Sequence, residues 1–536
     1  MNVPTSLRLK PLAACLAAAL AVVPVSALLA DPLKPVGHSP GAKRSFAAQV
    51  IAASAEGRGP TLTEVMRDAV ARARESHQPP LRPAGVTPVT SCDDDGPGTL
   101  REAFTNAVSG DVIDLSALSC GTITLATGSM ATTADDLTVQ GPGASALTID
   151  AGGLSGVLEH DGVGTLTIEA LTIANGHIVG QDFHGGACVL SAGNVTVDQS
   201  TLSNCYAYMG HAYGGAICAT GDITLSNSTL SGNTTKGHYY IYYYPGYPNP
   251  YTFDGTSRGG GAYAVGRFTI TNSTITHNRA EMNARGSVGG GIASRAGGHY
   301  IAGSTFDNNY AWLGGGFEIL GHSSGESTGL TVVDSTISGN TAELSTGGFN
   351  AYRLAYTVLH NSTVTDNFAP YCGGMYVYYG TTDLKSSIIG GNRSTHATNY
   401  FGLYTAADFD IFYNNATVGG DHDIVMTSNM PMPPDTITDD PLLLPLADNG
   451  GPTMTHAFDM TSRALDAGSN PDSLPFDQRG DGYPRVLGAG ADIGAFEAPG
   501  ALPDGIFSNG FDQVGDSRRA LRSASSRMRA AASLPM

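Results

Sequence analysis

The stretch GGAICATGDITLSNSTLSGN, residues 214–233, decides the fold, because its second half returns along the chain as FTITNSTITHN (268–278), YIAGSTFDNN (300–309), LTVVDSTISGN (330–340) and TVLHNSTVTDN (357–367). Aligned on the serine before the threonine, the copies fall at Ser200, Ser228, Ser273, Ser304, Ser335, Ser362 and Ser387, with successive offsets of 28, 45, 31, 31, 27 and 25 residues. A second phrase alternates with the first: GGAC at 185, GGAI at 214, GGGAY at 259, GGGI at 289, GGGF at 314, GGF at 347 and GGM at 373. Periods of this length mean stacked units, each too small to bury its own apolar face. Ile223, Leu225, Ile270, Val332 and Ile337 are strand formers, glycine pairs and asparagines supply turns, and no helical period intervenes. Strands that recur at this interval pair with their own copies one coil up, at about 4.8 Å. The expectation is an all-β chain, a right-handed parallel β-helix.

Asparagine recurs five residues after the aligned serine, at Asn233, Asn278, Asn309, Asn340, Asn367 and Asn392. Asparagine tolerates the left-handed backbone of a sharp corner, and amides stacked from coil to coil can hydrogen-bond. The repetition is therefore read as architecture, which leaves function to residues that depart from it.

Among 536 residues, 28 are Lys or Arg and 47 are Asp or Glu, a formal charge of -19. Nucleic acid is excluded as a partner, since backbone binding needs clustered positive charge. Arg8 and Lys10, the apolar run Leu12 to Val25 and the small-residue exit Val25-Ser26-Ala27 read as a secretory signal peptide, residues 1–27. No other run is long and apolar enough for a membrane-spanning helix. Residues 28–90 are a Pro/Ala-rich leader or linker with one helical stretch from Leu62 to about Ser76. Residues 91–430 are assigned to the β-helix and its N-terminal cap, 431–500 to a small C-terminal capping domain, and 501–536 to an arginine-bearing tail. Thr99-Leu100-Arg101-Glu102 is a capping box opening a short helix over 99–109. Cys92 and Cys120 bracket that helix and the first strand and are expected to be joined; the pairing of Cys188, Cys205, Cys218 and Cys372 stays open.

SCDDDGPGTLREAFTNAVSGDVIDLSALSCGTITL (91–125) resembles the start of exported bacterial β-helix proteins marked by a Cys-Ser-Leu-Arg-Glu-Ala stretch, although Cys92 stands apart from Leu100-Arg101-Glu102-Ala103 and the motif is partial. The GGAI and STxSGN phrases resemble those of polymorphic outer membrane proteins and other right-handed β-helix repeat proteins. DPLLLPLADNGGPTMTHAF (440–458), ALDAGSN (464–470), DQRGDGYPR (477–485) and ADIGAFE (491–497) are similar to the choice-of-anchor Q domain. The resemblance implies a secreted or bacterial cell-surface protein.

Strand parity locates a binding face. After each glycine pair, Cys188, Ile217, Tyr263, Ile292, Phe317, Phe349 and Met375 are expected to point inward, and Val189, Cys218, Ala264, Ala293, Glu318, Asn350 and Tyr376 outward, with Arg295, Tyr352 and Tyr378 two places on. Arg295, Glu318, Asn350, Tyr352, Tyr376 and Tyr378 combine aromatic rings with polar groups, a mixture suited to a polysaccharide or another surface protein. Beside them lies the longest insertion, GHYYIYYYPGYPNPYTF (237–253). The expected function is an adhesion or interaction surface. The alternatives are a polysaccharide lyase or glycoside hydrolase on the same scaffold, for which Arg295 and Glu318 would carry catalysis, and a passive structural protein. The Trp-Ile-Asp-His phrase of pectate lyases and the Asn-Thr-Asp phrase of polygalacturonases are missing, and the single tryptophan is Trp312. No cofactor is assigned; Asp93-Asp94-Asp95, Asp408 with Asp410 and Asp421 with Asp423 are the acidic turns that could offer oxygens to Ca²⁺, though none follows an EF-hand or nonapeptide pattern. Asp477, Arg479, Arg485, Asp492 and Glu497 are expected to form ion pairs closing the last coil.

Overall fold

In the coil that begins at Gly289, the chain lays down Ile292–Ser294, His299–Ala302 and Thr305–Asp307 in turn, and each pairs in parallel with its counterparts in the coils before and after. These three strands form the first, second and third walls of a right-handed parallel β-helix, and Ile292, Ile301 and Phe306 point into it without exposure. Among the described residues the third wall has 11 strands, from Thr122–Thr124 to Ile424–Val425. The structure, a computed structural model, describes residues 83–499 apart from 181–182, 239, 243–250, 254–255, 283–285, 322–328 and 396–409. The signal segment, the helical stretch at 62–76, Asp408, most of the tyrosine-rich insertion and the tail lie outside the described residues.

The N-terminal cap is helix α1, Leu100–Thr105, whose N-cap Thr99 accepts from the Glu102 amide. It stops four residues short of the expected end, with Asn106 as C-cap; beyond it Asp111 accepts the Val108 amide at 2.9 Å and turns the chain into the first full strand, Asp111–Asp114. That strand pairs with Val86–Pro88, so the β-helix begins inside the segment read as leader. Cys92 and Cys120 are disulfide-bonded, as expected. Asp94 does not sit in an open acidic turn: it binds Arg101 at 2.6 Å and accepts from Ala126 and Thr127, fastening the helix to the first coil.

Two side-chain ladders run up the corners. Each aligned serine amide donates to the serine hydroxyl of the next coil, from Ser200 to Ser228 at 3.1 Å through Ser362 to Ser387 at 3.3 Å. From Asn278 on, each ladder asparagine accepts at Oδ1 both the amide N–H and the side-chain N–H of the asparagine below it, as Asn340 does for Asn309 at 3.0 Å, while Asn233 accepts the Cys205 amide. The ladder asparagines are buried and not left-handed; the positive φ belongs to the residue before them, as at His277, Asn308 and Asp366, and to the residue before each serine, as at Asn227, Asn272 and Asn361. Left-handed corners and amide stacking are thus divided between adjacent positions.

Both ladders end on an aspartate offered above for Ca²⁺: Asn392 donates to Asp410, and the Ser387 amide to Asp423 Oδ1 at 2.8 Å. Their carboxylates continue the ladder geometry. Burial pushes the Asp423 carboxyl up to about 8, and its Oδ2 is buried without a hydrogen-bond partner. A carboxyl raised above its unfolded value, about 4, contributes stability that is full below pH 4 and lost as pH climbs through 8. Asp423→Asn keeps the acceptor and removes the charge. Thermal melts should show the variant matching the parent near pH 5 and exceeding it by roughly 1–3 kcal/mol at pH 9; a stability difference independent of pH would contradict this assignment.

The C-terminal segment does more than close the last coil. It runs back along the outer side of the third wall, where Thr305 Oγ1 donates to the Met454 carbonyl, Thr336 Oγ1 to Gln478 Oε1 and the Ala495 amide to Thr363 Oγ1. Four of the five expected residues pair, Arg479 with Asp477 at 2.6 Å and Arg485 with Glu497 at 3.4 Å, while the Asp492 carboxylate accepts the Asp466 and Ala498 amides instead; Arg485 also reaches the coil itself at Asp334, 3.2 Å away.

Between the third wall and the next glycine pair the chain runs out and back as a fin of two short sheets. The outgoing strands include Tyr206–Met209, Thr234–Gly237 and Arg279–Met282; the returning ones include His211–Tyr213, Thr256–Arg258 and Ser287–Val288. Small buried side chains let the layers meet, and Ser257 Oγ lies 2.6 Å from Thr235 Oγ1. In the coil with the 45-residue offset the fin is lengthened by an antiparallel pair, Tyr240–Tyr242 with Tyr251–Phe253.

The corner from fin to first wall explains the repeated glycine pairs. Gly214 has φ +57, and a Cβ there would stand 1.8 Å from the Ile217 carbonyl oxygen.

Candidate functional site

The first-wall register stacks Val189, Ile217, Ala262, Ile292, Phe317, Phe349 and Met375 in the core. The expected phase is right in five coils and slips by one residue in two: Val189 and Ala264 face the core, and Tyr263 faces outward. Gly185 pairs with Tyr213 of the fin and so precedes the glycine column, while Gly261 stands where Ala216 does one coil below. Cys188 packs into the core from the corner and is disulfide-bonded to Cys205.

Glu318, Asn350 and Tyr376 are successive partners on the outer face, and Tyr352 pairs with Tyr378 beside them. Five of the six residues selected from the sequence therefore share one face, and Arg295 directly follows Ile292–Ser294, the strand paired with that of Glu318. That face is not open: Glu318 is 8% exposed, Asn350 1% and Tyr376 7%. The returning sheet of the fin folds against the outer side of the first wall, placing Tyr213 and Val288 over Leu190, Cys218, Tyr263 and Ala293 in a second apolar cluster. Ala293, expected on an open face, is buried in it.

Where the fin sheet ends, the covered face turns polar. Arg258 Nη1 lies 4.0 Å from Glu318 Oε1, and Asn350 Nδ2 donates to Glu318 Oε2 at 3.3 Å. Burial raises the Glu318 carboxyl above its ordinary range, an effect that Arg258, Asn350 and Arg295 only partly offset. Burial, and then the neighbouring Arg258, lower Arg295. Tyr213 is pushed by burial up to about 12 and Tyr263 is raised by the same cause, so both keep their hydroxyl protons at neutral pH. Above this cluster the rings of Tyr352, Tyr376 and Tyr378 lie 5.2–6.4 Å apart, and Tyr379 stands edge-on to Tyr378 at 4.4 Å. Tyr379, on a corner with φ +66, is 45% exposed and forms the open rim.

Sequence reasoning missed Arg258. It sits in the column immediately before the glycines, next to Tyr213 and Val288 in register, and an arginine in an otherwise apolar column was the available signal. It also passed over the surroundings of Trp312, which lines a cavity of about 230 Å³ with Lys236, Glu281, Tyr310 and Glu343. The two carboxylates there are engaged, Glu281 with Arg279 at 2.8 Å and Lys236 at 3.6 Å, and Glu343 with the Tyr310 hydroxyl. Among the described residues no three His, Cys, Asp or Glu gather as metal ligands, and no helix is long and apolar enough to cross a membrane.

Residues 122–333 match the family model described as right handed beta helix region. No curated protein and no solved structure matches the chain. The match and the coil together define a right-handed β-helix repeat protein, a scaffold used by adhesins, lyases and hydrolases alike, so fold alone does not select among them.

Proposed function

We propose that this is an exported binding protein whose first-wall face holds saccharide chains, acting as an adhesion surface. The carrying observation is the tyrosine group Tyr352, Tyr376, Tyr378 and Tyr379 stacked beside the Glu318–Asn350 cluster. Bulk outside the wall is also used in packing, as Tyr213 and Tyr263 are beneath the fin, but this group reaches an exposed rim at Tyr379. Aromatic rings beside hydrogen-bonding groups match the alternating apolar and hydroxyl faces of sugars. The Cys92–Cys120 and Cys188–Cys205 disulfides support passage through an oxidising compartment.

Because Tyr376 is buried, the clean test is at the rim. The double variant Tyr378→Ala, Tyr379→Ala should weaken saccharide binding by about 2 kcal/mol, roughly thirtyfold, as removal of aromatic anchors does. Its melting temperature should stay within about 3 °C of the parent, the range of surface substitutions. Unchanged affinity by calorimetry would take the rim out of the binding face.

A further inference from the structure

The polar cluster beneath the tyrosines has more donors than partners. Arg258 is 4% exposed and Tyr263 fully buried, and Arg258 Nε, Arg295 Nε and the Tyr263 hydroxyl have no hydrogen-bond acceptor. Asn350, 1% exposed, has its Oδ1 without a donor. Two guanidinium groups face one carboxylate, Glu318, whose nearest approach to Arg258 is 4.0 Å. Arg479 and Arg485 are buried too, but their guanidinium groups lie closer to carboxylates, Arg479 2.6 Å from Asp477 and Arg485 3.2 Å from Asp334 and 3.4 Å from Glu497, although Arg485 Nε likewise lacks an acceptor. Leaving a buried charge underpaired and a buried donor unmet destabilises the fold. A chain of net charge -19 has not used one of its many carboxylates to complete this site.

We propose that Arg258, Arg295 and Tyr263 receive an oxyanion borne by the ligand, a carboxylate or sulfate on an acidic sugar, with Asn350 Oδ1 accepting from a neighbouring sugar hydroxyl. This rests on the saccharide reading above and names its substrate class. A planar guanidinium fork matches a carboxylate or sulfate edge. Burial raises the Tyr263 hydroxyl above its ordinary value, so it keeps its proton and acts as a donor. The part-exposed Arg295 and Tyr352 mark the entry, with the tyrosine rim beside it to hold the sugar ring.

The test uses the full chain at constant ionic strength. Sodium acetate and sodium sulfate should each be compared with chloride in thermal melts, since a ligand that binds only the native state raises its stability. Oxyanion-specific stabilisation that Arg295→Gln abolishes is the expected result; acetate alone points to a carboxylated sugar and sulfate alone to a sulfated one. Melts indistinguishable from chloride overturn the proposal. In parallel, an acidic oligosaccharide such as oligogalacturonate or a sulfated galactan fragment should bind at least tenfold more tightly than its neutral counterpart, and Arg295→Gln should erase that preference. Equal binding of acidic and neutral chains overturns the oxyanion site while leaving saccharide binding in place, whereas binding of neither removes both. Should Arg295→Gln fold poorly, Arg295→Lys, which keeps the charge and loses the fork, should retain at most part of the preference.

Discussion

Ile292→Asp is expected to unfold the coils around it, and Ala293→Asp to do nearly the same. Ile292 lies in the core between Ala262 and Phe317, where a carboxylate would have neither water nor a partner. In a solenoid each coil is stabilised largely by its neighbours, so the damage spreads to adjacent coils. Ala293 points the other way, yet it is 2% exposed beneath the fin, in the cluster with Tyr263 and Val288. Both variants should lose more than about 4 kcal/mol, the range of buried unpaired charges. Thr269→Asp, on an exposed position of the second wall, should stay within about 0.5 kcal/mol of the parent. Urea unfolding followed by circular dichroism reads all three; an Ala293→Asp protein as stable as Thr269→Asp would mean that the fin does not cover the wall.

Arg485→Met should release the C-terminal segment from the coil. Its guanidinium, without exposure, binds Asp334 at 3.2 Å, Glu497 at 3.4 Å and the carbonyls of Asp492 and Gly494 at 2.7 and 2.9 Å. Removing it strands two buried carboxyls, a loss of about 3–5 kcal/mol. Burial already raises Asp334 to about 8 and Glu497 to about 7. Carboxyls raised in the folded state contribute most at low pH and lose that contribution as pH rises from about 4 through those values. The variant's deficit should therefore be smallest near pH 5, where both groups are neutral, and largest at pH 9. Limited proteolysis at pH 9 should cut within residues 430–499 while the coil survives, and Asp334→Asn in the same chain should restore part of the resistance. Equal protease resistance of variant and parent at pH 9 would contradict the clamp.

The coil was legible because its chemistry repeats: the serine and asparagine columns mark corners whose hydrogen bonds must be made in every turn, and the Thr99 capping box marks the helix start. The first-wall phase was legible only in part. Most of its strands are three or four residues long and buried on both faces, as Ile217–Ala219 and Ala262–Ala264 are. Bulk then no longer separates inside from outside, and counting from the first glycine misplaces Tyr263 and Ala264. The six candidate residues were found because they break the repeat, but the burial of Ala293 on the same face was not, since it comes from fin strands such as His211–Tyr213 and Ser287–Val288 that share no phrase with one another. The same holds for the flank: the outward threonines Thr305, Thr336 and Thr363 look like ladder residues in the sequence, and their partners lie more than 130 residues away.

The central claim is that the face bearing Glu318, Asn350 and the tyrosines binds saccharide without cleaving it. A glycan array probed with the purified chain, with unsaturated and reducing ends assayed on the same ligands, tests this most directly. The account predicts binding to a set of saccharides, acidic ones foremost, with no new chain ends and with loss of signal in the Tyr378→Ala, Tyr379→Ala protein. Release of unsaturated or reducing ends that Glu318→Gln abolishes would contradict it in favour of a lyase or hydrolase, and an array without signal would contradict it in favour of a passive structural role.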